Sequence, residues 1–131
     1  MKKLIQHHTI PCYDTDASWR LKPASFMNLA QEAAGQHAVH LGFGYDDLIV
    51  TNTAWILSRV HIEFVDTPKW RDDVTLTTWH KGLDRLFYIR DFVMTDKEGN
   101  ARVKATTSWL VLNLETRRLV RDPDLMEEGT V

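Results

Sequence analysis

Residues 23–42, PASFMNLAQEAAGQHAVHLG, decide how this chain folds. Phe26, Leu29, Ala30, Ala33, His37 and Leu41 recur at three- and four-residue intervals, the spacing of one helix face. Met27, Ala34 and Ala38 widen that face, so the pattern predicts a helix with little surface left for water. Ala30, Ala33, Ala34, Gly35 and Ala38 are small enough to let another backbone approach closely. A mid-helix glycine costs about 1 kcal/mol against alanine, so Gly35 is expected to have a packing or functional reason. Pro23 suits the first turn and Gly42 a C-terminal cap.

Around this helix the chain reads mostly as strand. Lys3–Tyr13 is the first expected strand, with Pro11 marking its edge or end. Tyr13–Leu21 forms a polar turn into the helix, and Gly42–Asp47 a loop or short turn after it. Trp55–Phe64 alternates most clearly. Strict alternation puts Ile56, Ser58, Val60, Ile62 and Phe64 on one face, and Trp55, Leu57, Arg59, His61 and Glu63 on the other. Val74–His80, Phe87–Thr95 and Ala101–Asn113 follow as strands, and a short further piece is expected at Arg117–Arg121. One helix followed by a run of antiparallel strands argues for an α+β fold, a curled meander around a central helix.

The 131 residues suit one domain, 1–131, with 122–131 as linker or frayed tail. A hydrophobic share of 44% is ordinary for a globular chain, and a net charge of −2 gives no case for nucleic acid binding. The lone cysteine, Cys12, excludes an internal disulfide and a multi-cysteine zinc site, and suits a reducing compartment. No stretch reads as an export signal or is long and apolar enough to span a membrane, so the expected setting is cytoplasmic. The histidines lack metal-ligand spacing and no phosphate-binding glycine loop occurs, so neither metal nor cofactor is expected.

Asp14 and Asp16 stand just ahead of the helix, at the positive end of its dipole. Asp16 could orient water beside a bound carbonyl polarised by the helix start, or could simply build the turn. Glu32 could act as a general base, or could face solvent or an interface rim. His37 lies on the apolar stripe, where a hydrogen-bonded core histidine is the commoner outcome. Cys12 fits a structural role better than a nucleophilic one. Arg117, Arg118 and Arg121 form a small basic cluster, either solvated or turned toward an acidic partner.

Several segments together resemble the acyl-acyl carrier protein (acyl-ACP) thioesterases of plants and bacteria. They are Leu29–Ala38, Gly42-Phe43, Trp55–Ile62, Pro68–Val74, Thr78-Trp79, Ala105–Trp109 and Asn113–Leu119. The resemblance implies a hotdog fold, a long helix wrapped by an antiparallel sheet of five or six strands. It also implies hydrolysis of fatty acyl thioesters in fatty acid biosynthesis. Members of that family carry two hotdog repeats, and this chain resembles the first. The catalytic run of the second repeat, Asp-x-Asn-x-His, finds here only Asp16, with Ser18 and Arg20 in the other places. By the resemblance the first repeat helps form the acyl pocket and select chain length, with Phe26, Met27, Ala30, Trp55 and Trp109 as its lining. Arg117, Arg118 and Arg121 would meet the carrier protein. Asp-Thr-Asp-Ala, residues 14–17, also resembles the motif of single-hotdog acyl-CoA thioesterases, which act as dimers and in which Asp16 would be the catalytic carboxylate. The partners implied are acyl carrier protein or acyl-CoA, and a second hotdog as homodimer or second repeat.

Overall fold

The computed structural model describes residues 2–121, so the expected linker or tail at 122–131 lies outside the described residues. Strands β1 (Leu4–Thr9), β2 (Thr53–Phe64), β3 (Asp73–Asp84), β4 (Phe87–Thr95), β5 (Ala101–Asn113) and β6 (Leu119–Val120) form one antiparallel sheet. Its order is β1-β3-β4-β5-β2, with β6 added alongside β5. Helix α1 (Pro23–Leu41) lies against it, and a short α2 (Tyr45–Val50) follows. This is the expected hotdog arrangement.

Helix α1 begins at Pro23 and is closed by Gly42 at φ 87°, whose N–H and that of Phe43 turn back to carbonyls of the last helical turn. Its wrapping is less complete than its composition predicts. Ser25, Phe26, Ala30, Ala33, Ala34, His37 and Ala38 are buried, while Asn28, Gln31, Glu32, Gly35, Gln36, Val39 and His40 face water. The expected packing reason for Gly35 is absent, because nothing lies within 4 Å of where its Cβ would be.

Three other expectations are corrected. The first strand stops at Thr9, because pairing with β3 ends at Thr9↔Asp73 and the chain then enters a 3-10 turn at Cys12–Asp14. Pro11, with no N–H to offer, cannot extend the ladder. The segment after Gly42 is helical rather than loop, for the Asp47 carboxylate accepts the Gly44 N–H at 2.9 Å and fixes the first turn of α2. Gly44 has no room for a side chain: a Cβ there would sit 2.8 Å from Val39 Cγ2 and 3.2 Å from the α1 backbone. Finally, the register of β2 against β5 shifts between Leu57 and Arg59, leaving Ser58 as the extra residue of a β-bulge. Trp55 and Leu57 therefore share their face with Val60, Ile62 and Phe64, opposite Val111, Trp109, Thr107, Ala105 and Val103. Arg59, His61 and Glu63 take the other face.

Between helix and sheet the core divides in two. Under the first half of α1, Phe26, Ala30 and Ala33 meet Leu76, Phe92, Met94 and Val103 in a dense cluster. Under its second half, Ala38 meets Phe43, Leu48, Tyr88 and Val111, with Trp55, Trp109 and Leu83 packed against them.

Candidate functional site

Strand β4 turns Tyr88, Arg90, Phe92 and Met94 inward at every second position, so one guanidinium is carried beneath α1 among large apolar side chains. Beside it lies a cavity of about 230 Å³, lined from α1 by Gln31, Ala34, Gly35 and Ala38. Phe43, Gly44 and Tyr45 close one side, and Trp55, Tyr88 and Trp109 rise from the sheet. The two tryptophans of the wall are anchored, because each indole N–H is committed. Trp55 Nε1 donates to the Phe43 carbonyl at 2.8 Å, and Trp109 Nε1 to Thr107 Oγ1 at 2.8 Å. Trp55 stands edge-on to Tyr88, with ring centroids 5.1 Å apart, and to Phe43 at 6.1 Å. Such a site accepts an apolar chain without having to collapse around it.

Arg90 is only 5% exposed, and its Nη1 donates to His37 Nδ1 at 2.8 Å and to Thr78 Oγ1 at 3.1 Å. A guanidinium has only donors, so the His37 Nδ1 lone pair accepts and that nitrogen carries no proton in this geometry. Thr78 in turn donates to the Asp91 carbonyl at 2.9 Å. Burial pushes the Arg90 guanidinium down to about 10, which leaves it a cation at neutral pH. His37, fully buried on the apolar stripe, is thus the hydrogen-bonded core histidine of the commoner expectation.

Of the residues named from sequence for the pocket, the structure brings Trp55 and Trp109 to the cavity. Phe26 and Ala30 lie in the dense cluster and Met27 packs against it, away from the cavity walls. Asp16 is exposed, and its Oδ1 accepts the N–H groups of Ser18 at 2.8 Å and Arg20 at 3.1 Å, which is turn chemistry. Glu32 is exposed and accepts the Gln36 side-chain amide at 3.2 Å. Neither carboxylate lines the cavity. Arg117, Arg118 and Arg121 are exposed around β6, whose Val120 packs against the aromatic cluster. Arg121 Nε donates to the Arg85 carbonyl at 3.1 Å, a contact that the sequence reading missed. It also missed Phe43, Tyr88 and Arg90. The available signal was alternation along β4, where an arginine between inward Tyr88 and Phe92 has to point inward too.

Cys12 is an exposed free thiol. Among the described residues no three His, Cys, Asp or Glu side chains are grouped to hold a metal ion, and no helix is long and apolar enough to cross a membrane.

The family described as "Acyl-ACP thioesterase N-terminal domain" matches residues 2–128. An oleoyl-acyl carrier protein thioesterase from Coriandrum sativum chloroplasts is 31% identical over 122 residues, covering 88% of this chain and 33% of that protein. The oleoyl-acyl carrier protein thioesterase 2 of Arabidopsis thaliana is 36% identical over 107 residues, 76% of this chain and 29% of its own. The chain thus spans about a third of these curated relatives. The crystal structure of an acyl-ACP thioesterase from Bacteroides thetaiotaomicron superposes with a TM-score of 0.88 at 30% identity, over 92% of this chain and 50% of that one. A 1,4-dihydroxy-2-naphthoyl-CoA thioesterase from Synechocystis shares the fold at 15% identity, with a TM-score of 0.83 over 98% of this chain and 95% of its own. With its central helix, wrapped sheet and the match across nearly its whole length, the chain belongs to the acyl-ACP thioesterase N-terminal domain family.

Proposed function

We propose that this chain is the acyl-holding module of a fatty acyl-ACP thioesterase, taking the acyl chain into the aromatic cavity while the thioester is hydrolysed to free fatty acid and carrier thiol in fatty acid biosynthesis. The observation that carries this reading is the cavity itself, mostly apolar, walled by committed tryptophans, and set in a chain of this family. Arg117, Arg118 and Arg121, exposed around β6, offer a basic edge for an acidic carrier surface. Asp16 and Glu32 are the carboxylates proposed to position water, although both stand outside the cavity, and this favours hydrolysis shared with a second hotdog. That second hotdog is a second copy or a second repeat. Strand β2 ends the sheet with its outer edge unpaired among the described residues, and an edge strand of this length favours continuation by another chain. A cytoplasmic setting is proposed from the one exposed free thiol.

A second reading, a single-hotdog acyl-CoA thioesterase working as a dimer, is favoured by the near full-length superposition on a chain of that size. One assay separates them: thiol release from fatty acyl-ACP and fatty acyl-CoA by the whole chain, with its oligomeric state measured by light scattering. The module reading expects this chain alone to bind acyl-ACP, with hydrolysis only when a catalytic second hotdog is supplied. Turnover of acyl-CoA by the isolated dimer, abolished in Asp16→Asn, would replace it with the second reading. A monomer at micromolar concentration that neither binds nor cleaves either substrate would sink both.

A further inference from the structure

One wall of the cavity is charged. Arg90 lies among Phe43, Trp55, Tyr88 and Trp109, and two of its five N–H donors go to His37 and Thr78, both neutral acceptors. Among the described residues no aspartate or glutamate forms an ion pair with it, the ion pairs there being Lys81–Asp91, Arg102–Asp66 and Arg102–Asp96. Burying a cation without a counter-charge is costly, and a plain alkyl chain has no use for one. A plain apolar side chain of similar volume would serve a purely alkyl pocket better. The donors not facing His37 and Thr78 form the edge of a planar fork, which matches a carboxylate in two-pronged geometry.

The geometry points to an anion subsite: the cavity takes an acyl ligand that bears a carboxylate, bound by the Arg90 fork with the aromatic walls around its carbon chain. This rests on the reading of the cavity as an acyl pocket. The carboxylate has two possible sources, the head of a released fatty acid entering acid-first, or the far end of a dicarboxylic acyl chain whose other end is the thioester.

The test is isothermal titration calorimetry on the whole chain at pH 8 with octanoate, its neutral isostere octanamide, and monomethyl suberate, whose ester stands in for a thioester. The wild-type protein is expected to bind octanoate at least about tenfold more tightly than octanamide, the difference that a charge-assisted hydrogen bond makes. Arg90→Met is expected to erase that preference, and Arg90→Lys to keep part of it, having charge without the fork. The comparison of octanoate with octanamide needs no variant, so it stands even where Arg90→Met fails to fold. Preference for both carboxylates supports the subsite with either source, and preference for octanoate alone assigns it to released acid. Equal binding of octanoate and octanamide overturns the Arg90 subsite and leaves the acyl pocket standing. Binding of none of the probes overturns both. A preference that survives in folded Arg90→Met removes the assignment to Arg90.

Discussion

Under the first half of α1 the sheet presents Leu76, Met94 and Val103, and the helix answers with Phe26 and Ala30, all of them shut off from water. Under the second half the same sheet presents Tyr88, Trp55 and Trp109, and the helix lines the cavity with Gln31 and the small residues Ala34, Gly35 and Ala38. The strands are continuous between the two ends, so the difference lies in side-chain size on the helix. At the dense end large residues on the sheet meet a large residue on the helix and fill the space. At the hollow end aromatic residues meet small ones, hydrogen bonds stop the indoles from tipping inward, and a space remains. Close packing at one end stabilises the fold, and the other end can afford to be open because of it.

The contrast is most easily broken at Phe26. Phe26→Ala opens a void in the dense cluster and is expected to cost about 3–5 kcal/mol by urea unfolding, with ligand binding in the surviving folded fraction unchanged. Trp109→Ala acts on the hollow end, where the half-buried ring already faces a space. It should cost less, about 1–3 kcal/mol, while shifting binding toward longer or bulkier acyl chains, as read by titration with a chain-length series. If Trp109→Ala were as damaging as Phe26→Ala with no change in ligand preference, the division into a structural and a binding end would fail.

Gly35 sharpens the comparison with the opposite sign. It is helical, exposed, and free of any atom within 4 Å of a Cβ, so Gly35→Ala should raise stability by about 0.5–1 kcal/mol in thermal unfolding. Because Gly35 borders the cavity, the same change should weaken binding of the bulkiest probes first.

The smallest effect belongs to the dense end and varies with pH only in acid. In the β4–β5 turn, Asp96 accepts the Glu98 and Asn100 N–H groups and the Arg102 side chain at 2.8 Å, and Arg102 also pairs with Asp66. The Asn100 N–H above all, with Arg102 and Glu98 assisting, pulls the Asp96 carboxyl down to about 2. A folded-state value below the unfolded one means that this contribution is complete above about pH 4 and is lost as pH falls through about 2. Asp96→Asn should therefore lower stability slightly at neutral pH and flatten the acid limb of a pH–stability curve. An unchanged acid limb would show that the turn plays no part in acid unfolding.

The sheet and helix were legible because their signals are local. The spans Phe87–Thr95 and Ala101–Asn113 are found as their alternation predicts, and Pro23 and Gly42 bracket α1 as their backbone preferences require. The site was less legible because it depends on features without a local signal. A six-residue helix such as α2 is too short to show a period, and the β-bulge at Ser58 breaks the alternation on which the face of Trp55 was assigned. Small residues on α1 suggested close backbone approach. At Gly44 that approach occurs, but Ala34, Gly35 and Ala38 leave space instead, and composition alone cannot distinguish a contact from a gap.

Ser58 carries a consequence out of proportion to its size. Strand β2 has a phase, and this one exposed residue is where the phase changes. Ahead of it odd-numbered positions look inward and put Trp55 at the cavity; beyond it even-numbered positions do, and put Ile62 and Phe64 against the dense cluster. Removing Ser58 would leave composition, charge and hydropathy almost untouched, yet the shortened strand could keep only one end in phase. Either the tryptophan wall would turn to solvent, or Ile62 and Phe64 would. The two ends of the core are thus tuned separately, and a single serine lets them be.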